Sequence, residues 1–158
     1  MEEKTLRQNL LEFLEKGAAH ATLKDVLTGI KPENYHNRPN SSLHTIWEEL
    51  EHIRLAQEDI LRYTLDPEWQ SPPWPSGYWP DSDHTPDEAQ WDQSISALMS
   101  DLNEVKDLIN NEKIDLTACI PHGEWRTYLR EILLIIDHNA YHMAKIVQLR
   151  KLFDNWPN

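Results

Sequence analysis

Two histidines four residues apart, His138 and His142, lie in the run Asp137-His138-Asn139-Ala140-Tyr141-His142. On a helix this spacing puts both imidazoles on one face, about one turn apart, where both reach a single metal ion. A buried, uncharged histidine pair satisfied by hydrogen bonds has the same spacing, so a third ligand has to decide between the readings. His52 is the candidate, since it sits mid-helix at a height where an antiparallel partner meets the pair. Its neighbours Glu48, Glu49, Ala56 and Asp59, with the densest apolar stripe nearly opposite, equally describe a solvated histidine. The alternative is a polar, partly hydrated cleft in which those carboxylates support the ligands or contact substrate. Three neutral imidazoles suit zinc or nickel and leave coordination positions for water or substrate, as in catalytic sites. Such an ion either acidifies water for hydrolysis or keeps a thiolate deprotonated for transfer. Asn139 stands where a His-Glu-x-x-His helix carries its general base, which disfavours a metalloprotease.

The elements that must position these residues read as helices. From about Glu3 to Thr28, Leu6, Leu10, Phe13, Gly17, His20 and Leu27 recur at helical steps and predict one long helix, with His20 on its inward seam and Gly29 at its end. A crossover holding Pro32 and Pro39 leads to Ser41 or Ser42 as the cap of a second helix, which runs to about Leu65 on Leu43, Ile46, Trp47, Leu50, Ile53, Ile60 and Leu61. Residues 66–84 carry five of the ten prolines with Trp69, Trp74, Tyr78 and Trp79, so no regular helix survives there. Stiff aromatic-proline sequence of this kind favours an ordered loop, either core cover or a lid. Thr85-Pro86-Asp87-Glu88 reads as the start of a third helix with Thr85 as its cap, followed by the seam Trp91, Ile95, Leu98, Leu102, Val105 and Ile109. The fourth runs from Arg126 or Thr127 to Phe153 and, apolar on nearly all sides, is expected to be the most buried. The expected fold is all-α: one four-helix bundle domain over residues 1–158, with the long Pro/Trp-rich loop between helices two and three.

Charge narrows the partners. With 27 acidic against 15 basic residues the chain carries a formal charge of −12, which repels phosphate backbones and anionic lipid surfaces, so neither nucleic acid nor membrane is expected. The single cysteine, Cys119, excludes an intramolecular disulfide and reads as a small buried hydrophobe in a reducing compartment. Met1-Glu2-Glu3-Lys4 lacks the basic start of a signal peptide, and the expected location is the cytoplasm.

The run Leu50-Glu51-His52-Ile53-Arg54-Leu55-Ala56-Gln57-Glu58-Asp59-Ile60-Leu61, preceded by Trp47, resembles the second-helix motif of DinB/YfiT-like proteins, and Asp137–His142 resembles their fourth-helix histidine pair. The stretch ending Gly77-Tyr78-Trp79-Pro80 is similar to one uncharacterised branch of that family. The resemblance covers almost the whole chain and implies one divalent metal ion on His52, His138 and His142, and a homodimer. It departs after His142, where related proteins continue with glycine and glutamine and this chain has Met143-Ala144-Lys145. Lys145 would repel the metal if it turned inward, or else reach solvent or pair with an acid of helix two. The family includes thiol-dependent S-transferases, so the expected function is hydrolysis of a small molecule or transfer of a low-molecular-weight thiol to one. Glu48, Glu49 or Asp59 would orient a ligand or move a proton, and His20, Trp47, Trp79 and Tyr141 would line the pocket. The alternative is a non-catalytic, dimeric metal-binding or stress-response protein.

Overall fold

A computed structural model describes residues 2–157. It is all-helical: α1 (Glu2–Lys16), α2 (Leu23–Leu27), α3 (Ile46–Leu65), α4 (Glu88–Asn110) and α5 (Tyr128–Leu152), with short 3-10 turns at Pro32–Asn34 and Ser76–Tyr78. Among the described residues extended pairing is limited to an isolated bridge between Cys119 and Thr127. The long helix α3 packs against α4 and α5, and α1 packs against the same two, so the contacts of the four long helices close on themselves. No described helix is long and apolar enough to cross a membrane.

The first predicted helix is two. It stops at Lys16 because Gly17 and Ala18 take left-handed backbone angles, φ +64° and +46°. At Gly17 a β-carbon would lie 2.4 Å from the carbonyl oxygen of His20, so only glycine fits this turn. Thr22 and Asp25 then form a capping box that restarts the chain as α2, whose Leu23, Val26 and Leu27 are buried. Leu10 supplies the buried seam of α1, whereas Phe13 and His20 are exposed.

The cap of α3 is Thr45, in a capping box with Glu48, rather than Ser41 or Ser42, and this leaves Leu43 outside the helix and exposed. That of α4 is Asp87, paired with Gln90, two residues beyond the predicted Thr85. Thr127 caps α5 as expected. The most buried helix is α3, with twelve of its twenty residues buried against nine of twenty-five in α5, where Leu133, Tyr141 and Leu152 face solvent. Cys119 is exposed as well, in the connection before α5.

A buried polar chain ties the three central helices together: Asn139 Nδ2 donates to Gln57 Oε1 (2.8 Å), and Gln57 Nε2 donates to the Leu98 carbonyl (2.8 Å). On the outer side of α3, Arg62 bridges to Asp101 and Glu104 of α4. The Asn139–Gln57 bond links α5 to α3 and so helps to fix their axial register, and with it the relative height of His52 and the pair at 138 and 142.

Candidate metal centre

His52 of α3 and His138 and His142 of α5 converge. One nitrogen of each imidazole lies within 4.8 Å of the other two, and Nε2 of His138 is 3.1 Å from Nε2 of His52. His52 and His142 are 4% and 5% exposed, so the solvated reading of His52 fails. The carboxylates around it are turned inward with partners: Glu48, Glu49 and Glu51 are all buried.

Hydrogen bonds on the far side of two rings set which nitrogen faces the centre. His52 Nδ1 donates to the Tyr78 carbonyl (2.7 Å), and His142 Nδ1 donates to Glu49 Oε2 (2.6 Å). Each bond fixes the tautomer that leaves Nε2 as a lone pair, the arrangement that metal-bound histidines use. The third ring, His138, has a buried Nδ1 with no partner. Its Nε2–H satisfies the lone pair of His52, so the imidazole is poised to exchange one proton position for a metal bond. Burial, reinforced by the neighbouring His142 and His52, pushes His138 down to about 4. Burial also lowers His52, against the opposing hydrogen bond to Tyr78. Both rings are therefore neutral near pH 7, the form in which an imidazole nitrogen can bind a metal. Two nitrogens each about 2.0–2.1 Å from one tetrahedral ion lie about 3.4 Å apart, close to the spacing of the two Nε2 atoms. The residues present fit a divalent ion.

Glu49 is the polar hub behind the site. It is 2% exposed, its Oε2 faces His142, and its Oε1 faces His44 Nδ1 (3.1 Å) and Lys145 Nζ (3.5 Å). Burial works against its charge, but the hydrogen bond from His142 and the positive charge of Lys145 outweigh it and hold the carboxyl below the usual range. Lys145 thus pairs with an acid of α3, its ammonium lying 4.5 Å above the Tyr141 ring.

The loop between α3 and α4 folds over this centre. Trp69 Nε1 and Tyr78 Oη both donate to Asp59 (2.8 and 2.7 Å), anchoring the loop one helical stretch below His52. Gly77 packs so closely on Pro72 that a β-carbon there would meet Pro72 Cβ at 2.5 Å. The anchored segment delivers the Tyr78 carbonyl to His52 and lays the Trp79 indole flat on the His52 ring, 3.8 Å away and 3° from parallel.

The other named residues lie as follows. Glu48 closes the α3 capping box and pairs with Arg38 (2.6 Å), a helix-terminus role away from the triad. Trp47 is buried in the core, 6.4 Å from the Trp91 ring. Tyr141 is exposed but meets the His142 ring edge-on at 5.0 Å. His20 is outside the cluster, exposed in the turn after α1 with Nδ1 bonded to the Ala21 carbonyl, because the helix that would have carried it inward ends at Lys16. Sequence reasoning missed the Tyr78 carbonyl, which as a backbone group has no residue-type signal. It also missed His44, although its position just before the Thr45-Ile46-Trp47-Glu48 capping box puts it beside Glu49.

Two cavities of about 490 Å³ each flank the segment Ser42-Leu43-His44. One is polar and reaches Arg38 and Trp79, and the other is apolar and reaches Glu49, Lys145 and Leu152.

A search of curated proteins and of solved structures finds no match. The family model described as the DinB superfamily matches residues 17–146, a span that takes in His52, His138, His142 and the loop that covers them. With most of its length matched, the chain belongs to the DinB superfamily.

Proposed function

We propose that this protein is a metal-dependent enzyme acting on a small molecule, with His52, His138 and His142 holding one zinc or nickel ion. The observation that carries the reading is the pair of fixed tautomers: Tyr78 and Glu49 occupy the Nδ1 sides of His52 and His142, leaving two Nε2 lone pairs facing the centre. When bound, the ion supplies a Lewis acid that turns water, or a low-molecular-weight thiol, into a nucleophile at neutral pH. The chain's own groups then have defined tasks. Glu49 and the Tyr78 carbonyl hold two ligands in orientation, and Trp79 keeps water off one face of His52. Asp59 acts through the loop it anchors, and Glu48 through the capped end of α3. A small substrate fits the volume of either neighbouring cavity.

A second reading, a non-catalytic metal-binding or stress-response protein, is favoured by the Trp79 ring lying on His52, which closes one side of the centre. The homodimer belongs to the proposal too and is read out by sedimentation. A screen of zinc- and nickel-loaded protein separates the readings: thiol consumption with chloro-nitroaromatic and epoxide electrophiles, and release of product from ester and amide substrates without thiol. Turnover abolished by His138→Ala supports the enzyme. Rates equal to those of the metal-free protein across both panels support the second reading.

A further inference from the structure

His44 touches both supports of the triad. It directly precedes Thr45, the N-cap of α3, so the capping box fixes where it leaves the chain. Its Nδ1 donates to Oε1 of Glu49 at 3.1 Å, while the other oxygen of the same carboxylate accepts from His142. Its ring also lies on Trp79, with centroids 3.9 Å apart, and Trp79 lies on His52 at 3.8 Å. Trp79 is therefore in contact with both rings, stacked on His52 and tilted by 38° against His44.

We propose that His44 is a positioning residue of the metal centre, fixing His142 through Glu49 and His52 through Trp79 at the same time. The proposal rests on the triad holding a metal. Without His44, Oε1 of Glu49 keeps only the looser contact to Lys145 at 3.5 Å, and the carboxylate is free to turn away from His142. Trp79 loses its contact with the His44 ring and regains side-chain freedom, so the stacking that steadies His52 weakens. Glu49 accepts from two imidazoles at once, and neither bond can be lost without changing how firmly it holds the other. His44 is 43% exposed and lines both of the neighbouring cavities, so an occupant of either one meets this residue and, through it, both arms of the centre.

Cobalt(II) binding to the full chain tests this, because its ligand-field absorption reports coordination geometry, which a merely structural residue would leave unchanged. His44→Ala removes both arms, His44→Phe keeps the ring without the donor, and His44→Asn keeps a donor in place of Nδ1 without the ring. His44→Ala is expected to weaken cobalt binding by about 10- to 100-fold in chelator competition and to shift the absorption bands. His44→Asn and His44→Phe are each expected to restore part of the affinity. A His44→Ala protein that binds within about twofold of wild type, with a superimposable spectrum, overturns the proposal. If that variant does not fold, His44→Phe and His44→Asn decide, and wild-type spectra and affinities in both overturn it equally. Wild-type protein that takes up no cobalt removes the metal reading itself, and this proposal with it.

Discussion

Replacing Glu49 by glutamine changes one heavy atom and, set beside Glu48→Gln, separates an effect on the metal centre from an effect on the fold. In the native arrangement the carboxylate accepts from His142 Nδ1 at 2.6 Å, from His44 Nδ1 at 3.1 Å and from Lys145 at 3.5 Å, all in a position 2% exposed. Glutamine has one accepting oxygen. If that oxygen stays on His142, the amide nitrogen faces the donors of His44 and Lys145, and if the amide turns round, an N–H faces the N–H of His142. Loss of a partner that orients a metal-bound histidine typically costs 10- to 100-fold in metal affinity, or about 1.4–2.7 kcal/mol. Removing a hydrogen bond to a charged acceptor in a buried place also costs about 1.5–3 kcal/mol of stability in the metal-free protein. Glu48→Gln is the control: Glu48 is equally buried one residue away, but its carboxylate serves the Thr45 backbone and Arg38. It should lose about 1 kcal/mol through the cap with zinc affinity unchanged. Zinc competition against a colorimetric chelator and urea unfolding of the metal-free proteins give both numbers. Equal zinc affinities for Glu49→Gln and wild type would refute the orienting role, and a loss as large in Glu48→Gln would show that both act only through the helix terminus.

Further outcomes follow from the loop and the core. Burial first, and then Asp59, pushes the Tyr78 hydroxyl up to about 12, so the native state favours the neutral phenol. That contribution is complete below pH 10, the unfolded value, and is lost as pH rises through about 12; Tyr78→Phe should flatten this alkaline loss in urea unfolding and lower neutral-pH stability by about 1 kcal/mol. Gly17→Ala forces a β-carbon into the His20 carbonyl at φ +64° and should destabilise by at least about 1–2 kcal/mol in thermal unfolding. Gln57→Leu strands the buried amide of Asn139, next to His138, at a cost of about 1–3 kcal/mol, and a stability equal to wild type would show that the polar chain does not set the α3–α5 register.

Helical periodicity made the long elements legible, together with the facing pair on α5, because spacing alone puts His138 and His142 on one side. His52 was legible only through its resemblance to a known motif. Hydropathy misleads on α3, whose first two turns bury Glu48, Glu49, Glu51 and His52 by pairing them with Arg38, His142, Arg54 and the Tyr78 carbonyl. Apart from Arg54, three residues after Glu51 on α3 itself, those partners come from loops and a distant helix, so the local pattern does not announce them. The break at Gly17 and Ala18 was hidden because Leu6, Leu10, Phe13, Gly17 and His20 keep helical spacing across a point where the backbone turns left-handed. One cap, by contrast, was present as a signal: Thr45 with Glu48 has the capping-box spacing, a stronger cue than the lone Ser41 or Ser42, whereas Asp87 with Gln90 competes with Thr85 and Glu88, which have the same spacing. That the Pro/Trp loop would be ordered follows from its composition. That it would place a carbonyl on one imidazole and an indole on its face depends on Asp59 gripping Trp69 and Tyr78, a tertiary contact.

The central claim is that three imidazoles hold one ion, and metal analysis of protein expressed and purified without a metal-affinity column tests it directly. About one equivalent of zinc or nickel per chain is expected, falling below about a tenth in the His52→Ala, His138→Ala double variant. Wild-type protein with less than about a tenth of an equivalent of any transition metal, and no uptake when zinc is added, would contradict the account.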